Sequence, residues 1–206
     1  MIRLLLAEDQ AMIREALATL LGLEPDLEVV AEAGRGDEVL PALEAAQRSD
    51  TPVDVALLDI EMPGLDGICA AERAHARFPE VRIVILTTFG RPGFLRRAME
   101  AGASAFLVKD APAAELADAI RRVMSGERVI DPDLAAAALA DGSNPLTSRE
   151  RDVLAASAGG ASNAEIAARL FLSEGTVRNY LSACIQKTGT RNRAEALTLA
   201  RAKGWL

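Results

Sequence analysis

The chain has 206 residues, of which 50% are hydrophobic and only 3% aromatic, so its core must be built from aliphatic side chains. The net charge of −7 is unevenly spread: residues 1–143 carry 14 Lys and Arg against 25 Asp and Glu, whereas residues 144–206 carry 9 against 5. Two domains with different partners are therefore expected, and only the second has the positive balance that suits a polyanion.

Several classes of protein are excluded by what the chain lacks. No apolar run approaches the roughly 18 residues of a membrane-spanning helix, and the short apolar start has no signal-peptide cleavage region. Two cysteines, Cys69 and Cys184, lie far apart without metal-ligand spacing, as buried thiols do in a reducing compartment. We therefore expect a cytoplasmic protein with no membrane insertion.

The first 124 residues alternate between two hydrophobic patterns. Runs typical of buried strands lie at Ile2–Ala7, Glu28–Ala33, Val53–Asp59, Arg82–Thr87 and Ala105–Lys109. Between these runs, and after the last of them, lie segments whose apolar residues have helical spacing, at residues 11–22, 36–47, 67–77, 92–101 and 112–125. This regular alternation predicts an α/β domain over residues 1–124, with a doubly wound parallel sheet.

The remaining residues contain no convincing strand. Residues 125–143 form a predicted linker, in which an Asp-Pro-Asp turn precedes an Ala-rich run at 134–140 that could form a short helix. From residue 144 onward short helices are expected, at about 148–157, 163–170, 174–188 and 193–203. The first two begin with capping boxes, Thr147 with Glu150 and Ser162 with Glu165, so residues 144–206 should form an all-α four-helix domain.

Acidic residues gather at the ends of two predicted strands. Glu8 and Asp9 end the first strand, Asp59 ends the third, and Glu61 lies two residues further on. In a sheet of order 2-1-3-4-5 these strands are neighbours, so the carboxylates should converge at the topological switch point. A Mg²⁺ ion with oxygen ligands would offset their repulsion, although the cluster alone favours the alternative of a solvated acidic rim.

Two more strand ends point to phosphate chemistry. The fourth strand ends at Thr87, whose hydroxyl can bond an anionic oxygen, and the fifth ends at Lys109, a point charge suited to phosphate. Carboxylates, a hydroxyl and a lysine at one edge describe a Mg²⁺-assisted phosphoryl site. Asp59 would then be the nucleophile that forms an acyl phosphate.

These residues resemble the receiver domain of bacterial two-component response regulators, which has a CheY-like fold. The resemblance covers about residues 1–125 and is carried by Glu8-Asp9, Asp59, Met62-Pro63-Gly64, Thr87 and Phe106-Leu-Val-Lys109. It implies that Asp59 accepts a phosphoryl group from a sensor histidine kinase. It also implies that Mg²⁺ is held by Glu8, Asp9, Asp59 and the backbone carbonyl of Glu61.

The same resemblance implies roles for residues around the acceptor. Thr87 would move toward the phosphoryl group and Phe106 would swing inward behind it, whereas spacing alone favours Phe106 as an ordinary core aromatic. Glu61 and Phe89 would tune how fast the phosphoryl group is hydrolysed.

The helix predicted at 174–188 has two unlike sides. A packed side is indicated by the apolar spacing of Val177, Leu181, Cys184 and Ile185. The other side carries hydrogen-bonding groups, with basic residues on its flanks and beyond its end: Thr176, Asn179, Ser182 and Gln186, then Arg178, Lys187 and Arg191. Such a helix suits the major groove of DNA, with Arg and Lys on phosphates and Asn and Gln on base edges. Periodicity alone does not separate it from a solvated amphipathic helix.

Residues 144–206 resemble the LuxR-type helix–turn–helix DNA-binding domain. The resemblance is carried by Asn144-Pro-Leu-Thr-Ser-Arg-Glu, Ser162-Asn-Ala-Glu-Ile-Ala-Ala-Arg-Leu and Ser173-Glu-Gly-Thr-Val-Arg-Asn. A receiver followed by this module is the NarL/FixJ arrangement, which implies promoter binding, transcription regulation and a homodimer on phosphorylation. It points to helices 11–22 and 112–125 for the dimer contact, although their apolar residues are expected mainly in the core. Further motifs, such as Gly-Thr-Val-Arg-Asn-Tyr180, are similar to the DesR-type regulators of fatty-acid desaturase genes, which implies membrane-lipid target genes.

Two other functions stay open at this level. An aspartyl-phosphate phosphatase or phosphotransferase acting on a small molecule explains the acidic edge but leaves the basic helical domain without a purpose. An orphan regulator that is never phosphorylated explains the helices but not the complete set of residues at the sheet edge. A phosphorylation-switched transcription regulator, and not an enzyme, explains both.

Overall fold

The computed structural model describes residues 1–88, 90–110, 112–140 and 144–206. The chain divides into two compact units, one formed by Met1–Gly90 and Leu95–Ala136 and the other by Arg91–Phe94 and Ala137–Leu206. Each unit has a hydrophobic core of its own.

Within the described residues, the first unit is built on a six-stranded parallel sheet of order 2-1-3-4-5-6. Its strands are β1 Ile2–Ala7, β2 Leu27–Ala33, β3 Val55–Asp59, β4 Arg82–Thr87, β5 Ala105–Val108 and β6 Val129–Ile130. The predicted order of the first five strands is confirmed, and β3 lies between β1 and β4. Every residue of β3 is buried, as an unbroken apolar run in a parallel sheet predicts.

Helices connect and follow these strands. They are α1 Ala11–Leu21, α2 Val39–Arg48, α3 Gly67–Arg77, α4 Pro92–Glu100 and α5 Ala113–Met124. Each lies within a few residues of its predicted range. The largest difference is at α2, because a 3₁₀ turn at Gly36–Glu38 precedes it. Pro41 then falls in the first turn of α2, where its missing N–H costs no helical hydrogen bond.

The predicted linker contains more structure than the sequence indicated. β6 adds a sixth strand beside β5, and α6 follows it at Pro132–Ala140. The Ala-rich run is therefore helical. Asp131 caps this helix, because its Oδ1 accepts the N–H of Leu134 at 2.8 Å. A strand of two residues has no measurable period, which is why β6 was not predicted. Residues 141–143 lie outside the described residues.

Residues 144–206 form four helices, as predicted: α7 Ser148–Ala156, α8 Asn163–Leu170, α9 Glu174–Thr188 and α10 Arg193–Ala202. Both predicted capping boxes are present, with Glu150 reaching back to Thr147 and Glu165 reaching back to Ser162. In the part of the chain that the structure describes, every helix is too short or too polar to cross a lipid bilayer.

The turn between α8 and α9 places an aromatic residue in an unusual conformation. Phe171 has a φ of 54°, in the left-handed region that favours glycine, and its side chain is 95% exposed. Ser173 follows and caps α9, because its hydroxyl accepts the N–H of Thr176 at 3.1 Å. On the inner side of α9, Val177, Leu181 and Cys184 are buried in the core of the second unit.

Candidate functional site

The acidic residues predicted to converge do so at the carboxyl edge of β1 and β3. Glu8 and Asp9 follow β1, and Asp59 is the last residue of β3. Carboxylate oxygens of these three residues all lie within 4.8 Å of one another. Glu8 and Asp59 are buried, whereas Asp9 is exposed to solvent. Oxygen donors at this spacing, open on one side, suit a hard divalent cation such as Mg²⁺.

Lys109 reaches the same edge from the end of β5. Its ammonium group lies 3.1 Å from Asp59 Oδ2 and donates a second hydrogen bond to Glu8 Oε2. The backbone N–H of Lys109 donates to the carbonyl of Thr87 at 2.8 Å, which continues the pairing of β4 and β5 up to the site. One ammonium group therefore contacts two of the three carboxyl groups.

Glu8 is not fully compensated by this arrangement. Burial raises its pKa above the usual 4.5, because the ionised carboxylate loses hydration. Hydrogen bonds from Lys109 and from the N–H of Gln10 lower the pKa and the charge of Asp59 raises it, and the net direction is upward. A further cation at this edge would favour the ionised form of Glu8.

The backbone before α1 is held by a residue that the sequence analysis missed. Arg14 donates from Nη1 to the carbonyl oxygen of Glu8 at 2.6 Å and from Nε to Glu32 at 3.2 Å. This bridge links the loop after β1 to β2 and fixes the position of Glu8. An arginine in the first turns of an amphipathic helix has no signature in the sequence that identifies its partner.

Gly67 is a second residue that the sequence analysis missed. Its N–H donates to the carbonyl of Ile60 at 2.9 Å, and a Cβ at this position would lie 1.7 Å from the carbonyl oxygen of Asp59. Only glycine therefore allows α3 to begin this close to the acceptor strand. The sequence analysis did predict a helix from residue 67, which Asp66 caps, but the sequence carries no sign of the close approach to Asp59.

The two residues expected to move lie on neighbouring strands. Thr87 is 3% exposed at the end of β4 and pairs in register with Val108 of β5. Phe106 is 0% exposed, so its ring lies inside the core in this structure. Glu61 is exposed in the loop after β3, and its predicted roles stay a prediction. Phe89, expected to tune hydrolysis, lies outside the described residues.

The seven residues predicted to contact DNA do not all lie on one surface. Six are exposed: the side chain of Lys187 is 37% exposed, and the other five form an exposed strip on α9 and just beyond its end, Arg178, Asn179, Ser182, Gln186 and Arg191. Thr176 is half-buried, and its hydroxyl lies 2.8 Å from the hydroxyl of Ser173 in the helix cap. The ammonium group of Lys187 lies 2.7 Å from Glu150 Oε2 of α7. Contact of these residues with DNA stays a prediction.

Both parts of the chain match known protein families. The family described as response regulator receiver domain matches residues 4–121, and the family described as bacterial regulatory proteins, luxR family, matches residues 144–200. The acidic edge lies in the first match, and α8 and α9 lie in the second.

Relatives match over essentially the whole chain. The transcriptional regulatory proteins YvfU, which is described as uncharacterised, and DesR, both of Bacillus subtilis, are each 44% identical to it, over 100% of this chain and 100% and 99% of theirs. Among solved structures, the response regulator ChrA of a heme-sensing two-component system is similar with a TM-score of 0.56 and 35% identity. That similarity covers 100% of this chain and 98% of the ChrA chain.

Proposed function

Because the chain belongs to the bacterial two-component response regulators with a luxR-type DNA-binding domain, we propose that phosphorylation of Asp59 switches its binding to promoter DNA. As a member of this family the chain is a transcription regulator, and the proposed phosphoryl donor is a sensor histidine kinase. One observation carries the proposal. It is the meeting of three carboxyl groups and one lysine at a single edge of the sheet: Glu8, Asp9, Asp59 and Lys109.

The proposed reaction transfers a phosphoryl group from a histidine of the kinase to Asp59. A carboxylate oxygen of Asp59 forms a bond to phosphorus while the P–N bond breaks, and the electron pair of that bond stays on the histidine nitrogen. Bound Mg²⁺, held by Glu8, Asp9, Asp59 and the Glu61 carbonyl, would supply neutralising charge at the phosphoryl oxygens. Lys109 would contact a phosphoryl oxygen, and the 3.1 Å between its ammonium group and Asp59 supports this role.

The proposed switch works through the buried residues behind the acceptor. The hydroxyl of Thr87 would move toward a phosphoryl oxygen on Asp59. Phe106, on the neighbouring strand β5, is already 0% exposed, so its movement would be a rearrangement within the core. Close-packed interiors change between discrete arrangements, so a small shift of Thr87 can be passed on to the surface around β5.

The proposed DNA contacts are divided between phosphates and bases. Arg178 and Arg191 would contact phosphates, and Asn179 and Gln186 would contact base edges from the exposed strip of α9. Ser182 lies between these residues on the same strip. The positive balance of residues 144–206, with 9 Lys and Arg against 5 Asp and Glu, favours the approach of DNA to this domain.

Dimerisation is proposed to use α1 and α5. As expected, most apolar residues of α5 and Leu21 of α1 are buried in the core, whereas Leu20 of α1 is 44% exposed. Met12 of α1 is 82% exposed. A groove of about 900 Å³ runs between the two helices and is lined on the α1 side by Ile13, Leu17 and Leu20. Closing this surface in a twofold dimer would bring two recognition helices to two DNA half-sites.

The switch is tested by chemical phosphorylation of the full chain. Acetyl phosphate with Mg²⁺, or beryllofluoride with Mg²⁺, should shift the chain from monomer to dimer in light scattering and tighten its binding to promoter fragments. Asp59→Ala should abolish labelling by acetyl phosphate and both responses. Asp50→Asn is the matched control, because Asp50 is exposed in a turn after α2 and Asn tolerates its φ of 57°.

Two outcomes would contradict the switch. Labelling of Asp59→Ala to the wild-type level would place the acceptor elsewhere. A wild-type chain that is labelled but neither dimerises nor binds DNA more tightly would separate phosphorylation from regulation. Sustained turnover of a small phosphate ester would favour the alternative of an enzyme.

The target genes are proposed from similarity alone. The DesR match supports membrane-lipid genes, but YvfU matches equally well at 44% identity. Genome-wide mapping of DNA bound by the phosphorylated chain tests this point. Sites beside genes of fatty-acid desaturation would support the DesR-type role, and their absence from the bound regions would reject it.

A further inference from the structure

A buried glutamate and a lysine join α7 to α9 in the helical domain. Lys187 Nζ lies 2.7 Å from Glu150 Oε2, and the Glu150 side chain is only 8% exposed. The same oxygen accepts the backbone N–H of Thr147 at 2.7 Å, as part of the capping box of α7. The carboxylate is therefore fixed in place by α7, and Lys187 binds to a preformed acceptor.

A second contact lies beside this pair. The Sγ atom of Cys184 is 3.5 Å from the backbone carbonyl oxygen of Glu150, and Cys184 is 0% exposed. Cys184 and Lys187 are separated by one turn of α9, so both contacts hold the same part of the helix. The last turns of α9 are thus docked on the first turn of α7 by one polar pair at the edge of the apolar core.

Lys187 and Arg178 lie on opposite flanks of α9, because about 80° separates Lys187 from Asn179 and about 100° separates Asn179 from Arg178. Nine residues at about 100° each place Lys187 roughly 180° from Arg178 around the helix axis. Arg178, Ser182 and Gln186 follow one another at intervals of four residues on the exposed side. A phosphate contact by Lys187 would therefore have to be made from a different side of the helix than one by Arg178.

A phosphate would also have to compete with a buried carboxylate for this lysine. If Lys187 turned to DNA, Glu150 would remain in an almost fully buried position without its cationic partner, which is costly. Turning Arg191 toward DNA would leave no buried charge unpaired, because its side chain is 91% exposed and its ion pair with Glu195 is 3.7 Å long. The two basic residues at the end of α9 are therefore not equivalent.

We propose that Lys187 is a positioning residue, which orients α9 for DNA through Glu150 and makes no phosphate contact itself. This inference rests on the proposed role of α9 in binding DNA. It removes Lys187 from the set of DNA contacts predicted from the sequence and adds Glu150 to the residues on which DNA recognition depends.

The test compares Lys187→Met with Arg178→Met in the full phosphorylated chain. The probes are a promoter fragment recovered by genome-wide mapping and a scrambled duplex of the same composition, each titrated over a range of salt concentrations. Lys187→Met should weaken binding to the promoter fragment about tenfold while the slope of log K against log salt stays at the wild-type value. Its preference for the promoter over the scrambled duplex should fall, because α9 is misoriented. Arg178→Met should instead weaken both probes alike and reduce the slope by about 0.9.

Two further variants separate positioning from a loss of folding. Lys187→Arg can still pair with Glu150 and should restore promoter affinity to within about threefold of the wild type. Glu150→Gln should reproduce the loss of preference, and adding Lys187→Met to it should have little further effect. Fluorescence of Trp205, the single tryptophan, which packs on the core of this domain, shows whether each variant is folded.

Three results would overturn the proposal. A salt slope reduced by about 0.9 in Lys187→Met would make Lys187 a phosphate contact. If a folded Lys187→Met variant kept the wild-type affinity and preference, Lys187 would have no role in binding DNA. If the effects of Lys187→Met and Glu150→Gln were additive, Lys187 would not act through Glu150. A wild-type chain without any preference for mapped fragments would instead defeat the proposed function itself.

Discussion

The two domains each contain an almost fully buried glutamate paired with a lysine, and the two pairs differ in what surrounds them. In the receiver domain, Lys109 is shared between Glu8 and Asp59. In the DNA-binding domain, Lys187 contacts Glu150, whose carboxylate also accepts the N–H of a helix cap. The first pair leaves carboxylate charge in excess of its cation, whereas the second is a balanced pair.

The pKa values of the two glutamates differ in direction for this reason. Burial opposes the ionised form of both carboxyl groups. At Glu8 burial prevails and raises the pKa above 4.5, whereas at Glu150 the hydrogen bonds from Lys187 and Thr147 together outweigh burial and lower the pKa below 4.5. The ionised form of Glu150 is therefore favoured on folding, whereas that of Glu8 is disfavoured unless a further cation binds.

The largest effect on stability is expected from replacing Gly67 beside the acidic edge, whereas a glycine in the helical domain, Gly175, should tolerate the same replacement. Gly67→Ala should destabilise the receiver domain by about 3 kcal/mol, because the new Cβ would lie 1.7 Å from the carbonyl oxygen of Asp59. Hydrogen exchange of β3 amides in the full chain measures the loss. Gly175→Ala is the matched control near the start of α9, where the nearest atom is 3.8 Å away. It should stabilise the helical domain by up to about 1 kcal/mol. Unchanged exchange in Gly67→Ala would show that α3 can retreat without cost.

The balanced pair should be visible in the response of the helical domain to acid. Because the pKa of Glu150 is lowered on folding, its stabilisation is complete above the usual 4.5 and is lost as the pH falls below 4.5 through the folded-state value. Glu150→Gln should cost about 1–2 kcal/mol at neutral pH and flatten this dependence. Urea unfolding followed by Trp205 fluorescence in the full chain measures both. An equally steep loss of stability below pH 4.5 in the variant would assign the acid sensitivity to other groups.

The sequence was sufficient for the parts of this comparison that depend on local pattern. Apolar runs located the five long strands, helical spacing located the helices, and the rule that ligands bind at the carboxyl ends of parallel strands brought Glu8, Asp59 and Lys109 together. What it did not predict depends on which element packs against which. Periodicity placed Lys187 on a flank of α9 but did not show that α7 lies beside that flank with Glu150.

The same limit applies to the receiver domain. Gly67 could be recognised as a helix start, but its distance from Asp59 depends on how the loop after β3 folds back. β6 has two residues, too few to show any period, and is stabilised by pairing with β5. Tertiary packing, not local propensity, decided both features.

Because Lys109 is shared between two carboxylates, we expect it to affect the affinity of the acidic edge for Mg²⁺. Lys109→Met should tighten Mg²⁺ binding to the unphosphorylated chain by about tenfold, because the ammonium group no longer competes for the carboxylates of Glu8 and Asp59. Isothermal titration calorimetry measures this change. Arg48→Met, an exposed site at the end of α2, is the control and should bind Mg²⁺ as the wild type does. Weaker binding in Lys109→Met would mean that Lys109 helps to organise the metal ligands instead of competing with Mg²⁺.

The smallest expected effect concerns backbone strain. Among the described residues, each domain contains one non-glycine residue with a positive φ. Asp50 in the receiver and Phe171 in the helical domain are the non-glycine residues with positive φ, at 57° and 54°. Asp tolerates this conformation through its short polar side chain, whereas Phe does not, and the 95% exposed ring of Phe171 gains little from burial. Phe171→Gly should therefore stabilise the helical domain by up to about 1 kcal/mol, as measured by Trp205 fluorescence in urea. Phe171→Ala removes the ring but keeps Cβ, so it should leave the stability nearly unchanged. Equal stabilisation by both variants would show that the exposed ring, and not the left-handed backbone, lowers the stability of the domain.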